Sequence, residues 1–215
     1  MQRRDCLRSL GLLASSMLPL AVSEKRVQAQ PQGCEQILSH LQSEIQLTSR
    51  RLTPSIFEDL MQWDGKKRSW QRQLTGHAVV QSRIAVLHFW ADYCTPCRAE
   101  FPWLKELARE FSQKLRGQVQ LVFISDTASS ETMAQFADQN QAILPWGDGP
   151  HYLDTDRRLQ QLLGNGLATG VMPIPTTLIC DPLIVRQAIV GPLVQRRNDL
   201  RGSIERLLQS FSPTP

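Results

Sequence analysis

The order of apolar and polar positions along this chain predicts strands that alternate with helices. Compact apolar runs predict strands at residues 78–80, 84–90, 119–125, 176–180 and 184–190. Amphipathic stretches predict helices at residues 96–115, 130–140, 156–163 and 199–208, and Ser129 with Ser130 and Asp199 are the predicted caps of the second and the fourth. Because the last two strands are close enough for a hairpin, we expect a mixed sheet with helices on both faces.

The region before residue 70 has a different pattern. Apolar residues at helical spacing, rich in intervening Gln and Ser, are Ile37, Leu38, Leu41, Ile45 and Leu47. Thr53 and Pro54 have the residue types of an N-cap and a first helical turn, so a short helix is predicted to run through Met61. Residues 30–69 are therefore predicted to be a helical extension, either a packing or spacer segment or a helix that binds a partner.

Residues 1–29 have the features of an export signal. Arg3, Arg4 and Arg8 precede an apolar run at residues 10–22, and small residues follow at suitable cleavage positions. The run is shorter than the about 20 residues of a membrane span, which favours a cleaved signal over an uncleaved anchor. The paired arginines are also similar to a twin-arginine signal. The predicted location is the periplasm or another exported compartment.

Composition and charge indicate one ordinary globular domain with extensions. The chain has 215 residues, of which 41% are hydrophobic and 20% are charged. Its net charge is +4, but residues 1–29 hold five basic and two acidic residues, so the remainder carries about +1. A charge this small gives no reason to expect a nucleic acid or an anionic membrane as a partner.

The chemistry is concentrated in a dithiol, Cys94-Thr95-Pro96-Cys97, between a predicted strand and a predicted helix. Two intervening residues in a first helical turn bring both sulfurs within disulfide reach. Backbone N–H groups and the helix dipole there favour the Cys94 thiolate, whose pKa in such motifs falls to roughly 3.5–7.5. A zinc site would need a second ligand pair, and the other cysteines and histidines are scattered singly. No metal ion or other cofactor is predicted.

The two remaining cysteines beyond the signal lie far from this motif. Cys180 is part of an apolar run, so we expect a buried free thiol. Cys34 is compatible with a free surface thiol, a bond to Cys180 or an intermolecular link.

Three separated segments together resemble the thioredoxin fold, in its exported branch of TlpA-like and ResA-like thiol–disulfide oxidoreductases. They are residues 89–102 with the dithiol, residues 170–181 with Ile174 and Pro175, and residues 73–79 with a pattern similar to the hairpin that often precedes the first core strand. The resemblance covers about residues 70–210 and implies a thioredoxin-like three-layer sandwich at residues 70–212. It also implies that Cys94 and Cys97 are the catalytic, redox-active pair.

The resemblance further implies how a substrate binds. The peptide bond between Ile174 and Pro175 is expected to be cis and to face the dithiol, so that an extended substrate pairs with the backbone at Ile174. Tyr93 stands where these relatives usually have tryptophan before the first cysteine. It retains an aromatic wall of different shape and polarity.

Two further side chains are candidates for tuning the pKa of the thiols. His88 occupies a strand position where classical thioredoxins have a buried aspartate, and it is either a proton acceptor for Cys97 or a neutral core histidine bonded to backbone. Glu100, one helical turn after Cys97, either lines the dithiol cavity or is a solvated glutamate favoured by the helix dipole.

The family implies an enzyme that exchanges disulfides with protein substrates. The sequence leaves the direction of exchange open, and the resemblance favours a reductant that a membrane electron donor maintains, with apocytochrome c as one candidate substrate. A thiol peroxidase shares the fold, but residues 91–93 lack the threonine or serine that normally precedes its reactive cysteine. A binding or assembly module is the third interpretation. The sequence predicts no oligomeric state.

Overall fold

In a computed structural model, the described strands form one seven-stranded mixed sheet. The structure describes residues 32–211 except 58, 65–66, 68, 73–81, 116, 128, 141–143, 145–148, 156, 168 and 182. The predicted export signal, the segment 73–79 and the strand at 78–80 lie outside these residues. Residues 1–42 and 43–215 form two compact units. In the described part, no helix is both long and apolar enough to cross a membrane.

The strands are β1 (Met61–Asp64), β2 (Ser69–Arg72), β3 (Ile84–Trp90), β4 (Val119–Ser125), β5 (His151–Leu153), β6 (Thr176–Asp181) and β7 (Ile184–Val190). The helices are α1 (Gln32–Leu47), α2 (Thr95–Lys114), α3 (Ser130–Gln139), α4 (Arg158–Gly164) and α5 (Arg197–Ser210), with 3₁₀ turns at Pro54–Phe57 and Leu193–Gln195. The strand order is β2-β1-β5-β4-β3-β6-β7. Strands β3, β4 and β5 are parallel, and the remaining pairs are antiparallel.

Strand β3 lies at the centre of the core, and all of its residues are buried. Its alternating side chains divide the core in two. Val86 and Trp90 pack in a cluster that includes residues of α2 and α5, whereas Leu87 packs in a second cluster with residues of α1 and α4. The predicted mixed sheet with helices on both faces is therefore confirmed, because a strand buried on both sides needs helices on each.

The predicted short helix through Met61 is wrong. The helical turn ends at Phe57, and Met61 begins strand β1, which pairs with both β2 and β5. The rings of Trp63 and Trp70 lie opposite each other across the β1–β2 pair, with centroids 5.2 Å apart. This contact between tryptophans on neighbouring strands stabilises the extended conformation, and it cannot be read from the local helical spacing. The sheet thus begins inside the segment predicted to be helical.

Of the two predicted helix caps, one is present in the structure and the other is not. Ser129 caps α3 as predicted, since its hydroxyl accepts a hydrogen bond from Thr132 N at 3.1 Å. Asp199 is not the cap of α5, which already begins at Arg197 directly after a 3₁₀ turn. The Asp199 carboxylate instead accepts a hydrogen bond from Arg196 Nε at 3.0 Å.

The sheet brings the two key sequence segments to one edge. Strand β3 ends at Trp90, and the loop to the dithiol begins there. Strand β6 runs antiparallel to β3 with Thr176 opposite Phe89, so Pro175 lies at the same edge as Trp90. This register joins residues that are about eighty positions apart in sequence.

Candidate active site

The dithiol occupies the N-terminus of α2. Cys94 is the N-cap, and its sulfur accepts a hydrogen bond from Cys97 N at 3.2 Å. The two cysteines form a disulfide, with Cα atoms 5.3 Å apart. Cys94 is 7% exposed and Cys97 is fully buried. Only Cys94 is therefore open to attack from solvent, and the backbone donor at its sulfur favours its thiolate once the disulfide is reduced.

The turn before β6 faces the same region. The peptide bond between Ile174 and Pro175 is cis. Ile174 packs against the apolar cluster that contains both Cys94 and Cys97. The Pro175 carbonyl accepts a hydrogen bond from Gly191 N at 2.9 Å, and Gly191 has φ +91°, a conformation that favours glycine. Ile174, predicted to bind substrate, thus packs against the same apolar cluster as the dithiol.

His88 and Glu100 meet behind the dithiol in a site without solvent access. His88 on β3 and Glu100 on α2 are both completely buried, and His88 Nε2 lies 3.7 Å from Glu100 Oε2. This distance is too long for a hydrogen bond, and neither atom has another partner among the described residues. The other ring nitrogen of His88 is 3.0 Å from the hydroxyl of Thr177. The predicted backbone partner of His88 is therefore replaced by a side chain.

Burial shifts the pKa of both groups in the direction that favours the neutral form. It lowers the pKa of His88 from 6.5 to about 3, so the imidazole is neutral at physiological pH. It raises the pKa of Glu100 from 4.5 to about 7, although hydrogen bonds from the backbone N–H groups of Leu193 and Val194 and the charge of Arg197 oppose this rise. The alternative of a solvated Glu100 is wrong, because α2 directs this side chain into the core.

A second polar group beside the dithiol was not predicted. The Tyr93 hydroxyl donates to Asp126 Oδ2 at 3.1 Å, and Arg157 Nε lies 2.9 Å from Asp126 Oδ1. Asp126 is buried, whereas Tyr93 is 62% exposed. Burial raises the pKa of Asp126, against the lowering effects of Arg157 and Tyr93. The position of Asp126 directly after a strand parallel to β3 was the available signal, because carboxyl ends of parallel strands meet at one edge.

These features agree with a comparison to known proteins. Residues 82–183 match the family described as Thioredoxin-like. This matched segment has a thioredoxin-like fold. It covers the dithiol, His88, Glu100 and the cis proline, so every residue singled out from the sequence for catalysis or substrate binding lies within it.

Two proteins of similar sequence indicate what this chain is related to. The thiol-disulfide oxidoreductase ResA of Oceanobacillus iheyensis is 29% identical over 48% of this chain and 46% of its own length. The thioredoxin-like protein YneN of Bacillus subtilis is 32% identical over 54% of this chain and 61% of its own length. The chain thus spans about half the length of these curated relatives.

Solved structures agree on the fold. A thioredoxin-related protein from Neisseria meningitidis serogroup B has a TM-score of 0.50 at 21% identity, over 70% of this chain and 98% of its own. A thioredoxin-like protein from Porphyromonas gingivalis also reaches 0.50, at 17% identity, over 77% and 96% respectively. At these identities the similarity concerns the fold alone.

Cys180 takes no part in the dithiol of the thioredoxin-like domain. It is a free, fully buried thiol on β6, as predicted, and burial raises its pKa. A buried thiol of raised pKa is a poor nucleophile. The Cys34 side chain lies outside the described residues.

Proposed function

We propose that this protein is an exported thiol–disulfide oxidoreductase that reduces disulfides in protein substrates. The observation that carries the proposal is the asymmetry of the dithiol, in which Cys94 is reachable and Cys97 is shielded, next to the cis bond at Pro175. A reachable nucleophile and a protected second thiol are what a two-step exchange requires. The name of one relative, the thiol-disulfide oxidoreductase ResA, supports thiol–disulfide exchange as the reaction type.

In the first step, the Cys94 thiolate attacks a substrate disulfide. A bond forms between Cys94 Sγ and one substrate sulfur, and the other substrate sulfur leaves as a thiolate that takes a proton from solvent. Cys97 then loses its proton and attacks Cys94 Sγ, which forms the Cys94–Cys97 disulfide and releases the second substrate thiolate. Two electrons pass to the substrate. A thiol donor, in our proposal one held at the membrane, must then reduce the enzyme again.

Substrate binding is assigned to the edge formed by Ile174, Pro175 and Tyr93. An extended substrate segment pairs with the backbone at Ile174, which aligns its sulfur with Cys94. The exposed ring of Tyr93, directly before Cys94, supplies an apolar contact beside that sulfur.

We assign to Glu100 the role of the general base that accepts the proton of Cys97. It lies one helical turn beyond this cysteine, and a carboxyl group with a pKa of about 7 changes charge near neutral pH, which suits a general base. His88 stays neutral and lies against the carboxylate, so it acts on Glu100 rather than on the sulfur directly.

The experiment that tests the activity is trapping with Cys97→Ser. Without the second thiol, Cys94 should accumulate a mixed disulfide with a disulfide-bonded test peptide, which mass spectrometry detects as an adduct at Cys94. The matched control is Cys94→Ser, in which the shielded Cys97 should form little adduct. If Cys97→Ser forms no adduct while a Cys94→Ser,Cys97→Ser variant keeps full function in cells, the proposed activity is wrong.

Two further measurements define the role. A redox titration of the Cys94–Cys97 pair should give a potential near the roughly −270 mV of thioredoxin, and a value near about −120 mV would indicate an oxidant. Peptides with an oxidised Cys-x-x-Cys-His segment, the haem attachment sequence of apocytochromes c, test the proposed substrate class. Faster reduction of these than of peptides with the histidine replaced would support a place in cytochrome c maturation, and equal rates would exclude that preference.

A further inference from the structure

The segment that starts at the last residue of β7 touches two separate parts of the candidate active site. This segment, residues 190–196, contains the 3₁₀ turn Leu193–Gln195 and leads directly into α5. Its Gly191 N donates to the carbonyl of Pro175 at 2.9 Å. Its Leu193 N donates to Glu100 Oε1, and Val194 N is a second backbone donor to the same carboxyl group. One short segment therefore contacts both the substrate edge and the proposed base.

The other side of this segment is bound by Glu44. Glu44 is a buried residue of α1, and its Oε1 atom accepts hydrogen bonds from Val190 N at 3.0 Å and from Arg196 Nη1. These two donors are the first and last residues of the 190–196 segment. A single carboxylate oxygen thus binds both ends of the segment whose middle donates to Pro175 and Glu100. Charge-assisted hydrogen bonds of this kind are about twice as strong as neutral ones.

We propose that Glu44 is a positioning residue of the dithiol site, which holds the 190–196 segment against both Pro175 and Glu100. The inference rests on the proposed function for its catalytic meaning, but its physical content concerns only the placement of backbone donors at Glu100. It assigns a role to the end of the N-terminal extension, which the sequence characterised only as a packing, spacer or partner-binding segment. Glu44 acts through the segment and does not touch the reacting sulfurs.

The consequence is measurable at Glu100. Three kinds of group interact with its carboxyl group: the imidazole of His88 on β3, the guanidinium of Arg197 on α5, and the N–H groups of Leu193 and Val194. The two N–H groups stabilise the charged carboxylate. If these N–H groups move out of hydrogen-bond reach while the carboxyl group stays buried, this stabilisation is lost and the pKa of Glu100 rises.

The electrostatic effect of removing Glu44 has the opposite sign. Loss of a negative charge, with Arg196 left without that partner, makes the surroundings of Glu100 more positive, which lowers the pKa of a carboxyl group. A rise in the pKa of Glu100 after removal of Glu44 is therefore opposite to the direct charge effect, and it is the sign expected when the two N–H groups are displaced.

The test is a ¹³C NMR titration of the Glu100 carboxyl group in the oxidised full-length protein. The variants are Glu44→Ala, which removes the acceptor, and Glu44→Gln, which keeps an oxygen acceptor for Val190 N. The matched control is Arg50→Ala, since Arg50 lies in the same N-terminal region but donates to the carbonyl of Leu163 on α4, at 2.8 Å. The disulfide form has no titrating thiol at positions 94 and 97, and the readout is independent of turnover.

We expect the pKa of Glu100 to rise by about one pH unit in Glu44→Ala and to stay or fall in Glu44→Gln and Arg50→Ala. An unchanged or lowered pKa in Glu44→Ala overturns the proposal, as does an equal rise in Arg50→Ala. If Glu44→Ala does not fold, Glu44→Asp keeps the charge but shortens the reach, and the same rise is required of it. A failure of trapping at Cys94 with the expected rise at Glu100 would refute the proposed function and leave the placement intact.

Discussion

Two polar groups flank the dithiol, and they differ in their access to water. The buried pair, His88 and Glu100, lies behind Cys97 without solvent contact. The Tyr93 chain, which consists of Tyr93, Asp126 and Arg157, lies beside Cys94 and extends from a buried carboxylate to an exposed ring and a half-exposed guanidinium. Both contain an acid whose pKa is raised by burial, but only Asp126 has a charged partner within 3 Å.

The difference indicates a division of tasks. Without an ion pair to a cation, Glu100 has a pKa of about 7 and can exchange a proton near neutral pH, which suits acid–base chemistry at a shielded sulfur. The ion pair with Arg157 favours the charged form of Asp126, so that this residue suits the fixed task of orienting the exposed Tyr93 ring. The same residue type thus serves proton transfer on one side of the dithiol and orientation on the other.

The largest predicted effect separates the two members of the buried pair by pH. The raised pKa of Glu100 stabilises the folded state below pH 4.5, and this contribution is lost as the pH rises to about 7. The lowered pKa of His88 has the opposite effect, with stability present above pH 6.5 and lost as the pH falls towards 3. Between pH 4.5 and 6.5 the changes of these two contributions with pH are opposite in sign and cancel in the wild-type protein.

Urea unfolding of the oxidised protein at several pH values measures this balance. Relative to wild type, Glu100→Gln should become more stable as the pH rises from 4.5 to 6.5, and His88→Asn should become less stable, each by about 3 kcal/mol across the window. Other titrating groups, such as the buried Asp154, are common to all three proteins and cancel in the difference. If the free energy of unfolding changes with pH in the same way in all three proteins, burial does not shift the pKa values of His88 and Glu100.

A smaller effect is expected from breaking the Tyr93 chain. Tyr93→Phe removes the hydroxyl and keeps the ring, and Asp126→Ala removes the oxygen that accepts from it. Each should raise the KM for a disulfide peptide about fivefold, the equivalent of about 1 kcal/mol for one hydrogen bond, with a smaller change in kcat. Because both substitutions break the same bond, the double variant should lose no more than either alone. Additive losses would show that the two groups act independently on the substrate.

The smallest effect is expected at the exposed end of the chain. Arg157 is about half exposed, and ion pairs in such positions contribute at most about 1 kcal/mol and are screened by salt. Arg157→Lys should change KM less than about twofold, and added salt should reduce the difference further. Arg158→Lys, whose partner is Asp59 rather than Asp126, is the matched control. A change above fivefold that persists in high salt would place Arg157 in direct contact with substrate.

Some parts of the molecule could be predicted from the sequence and others could not. The dithiol, the cis peptide at Pro175 and the burial of Cys180 were predicted, and the structure agrees with each. The hairpin of β1 and β2 was missed because its strands are short and half polar, so that the pairing of Trp63 with Trp70 decides the conformation. Asp126 was missed because its partners, Tyr93 and Arg157, come from two other loops.

The features that could be predicted from the amino-acid sequence are local ones. The spacing of Cys94 and Cys97 at a strand-to-helix junction, the apolar runs of the central strands and the serine cap of α3 each depend on neighbouring residues only. The tertiary structure alone decided the charges of His88 and Glu100, the partner of Tyr93 and the contacts of Glu44. Each of these depends on desolvation or on hydrogen bonds between distant residues, and both exist only once the chain has folded.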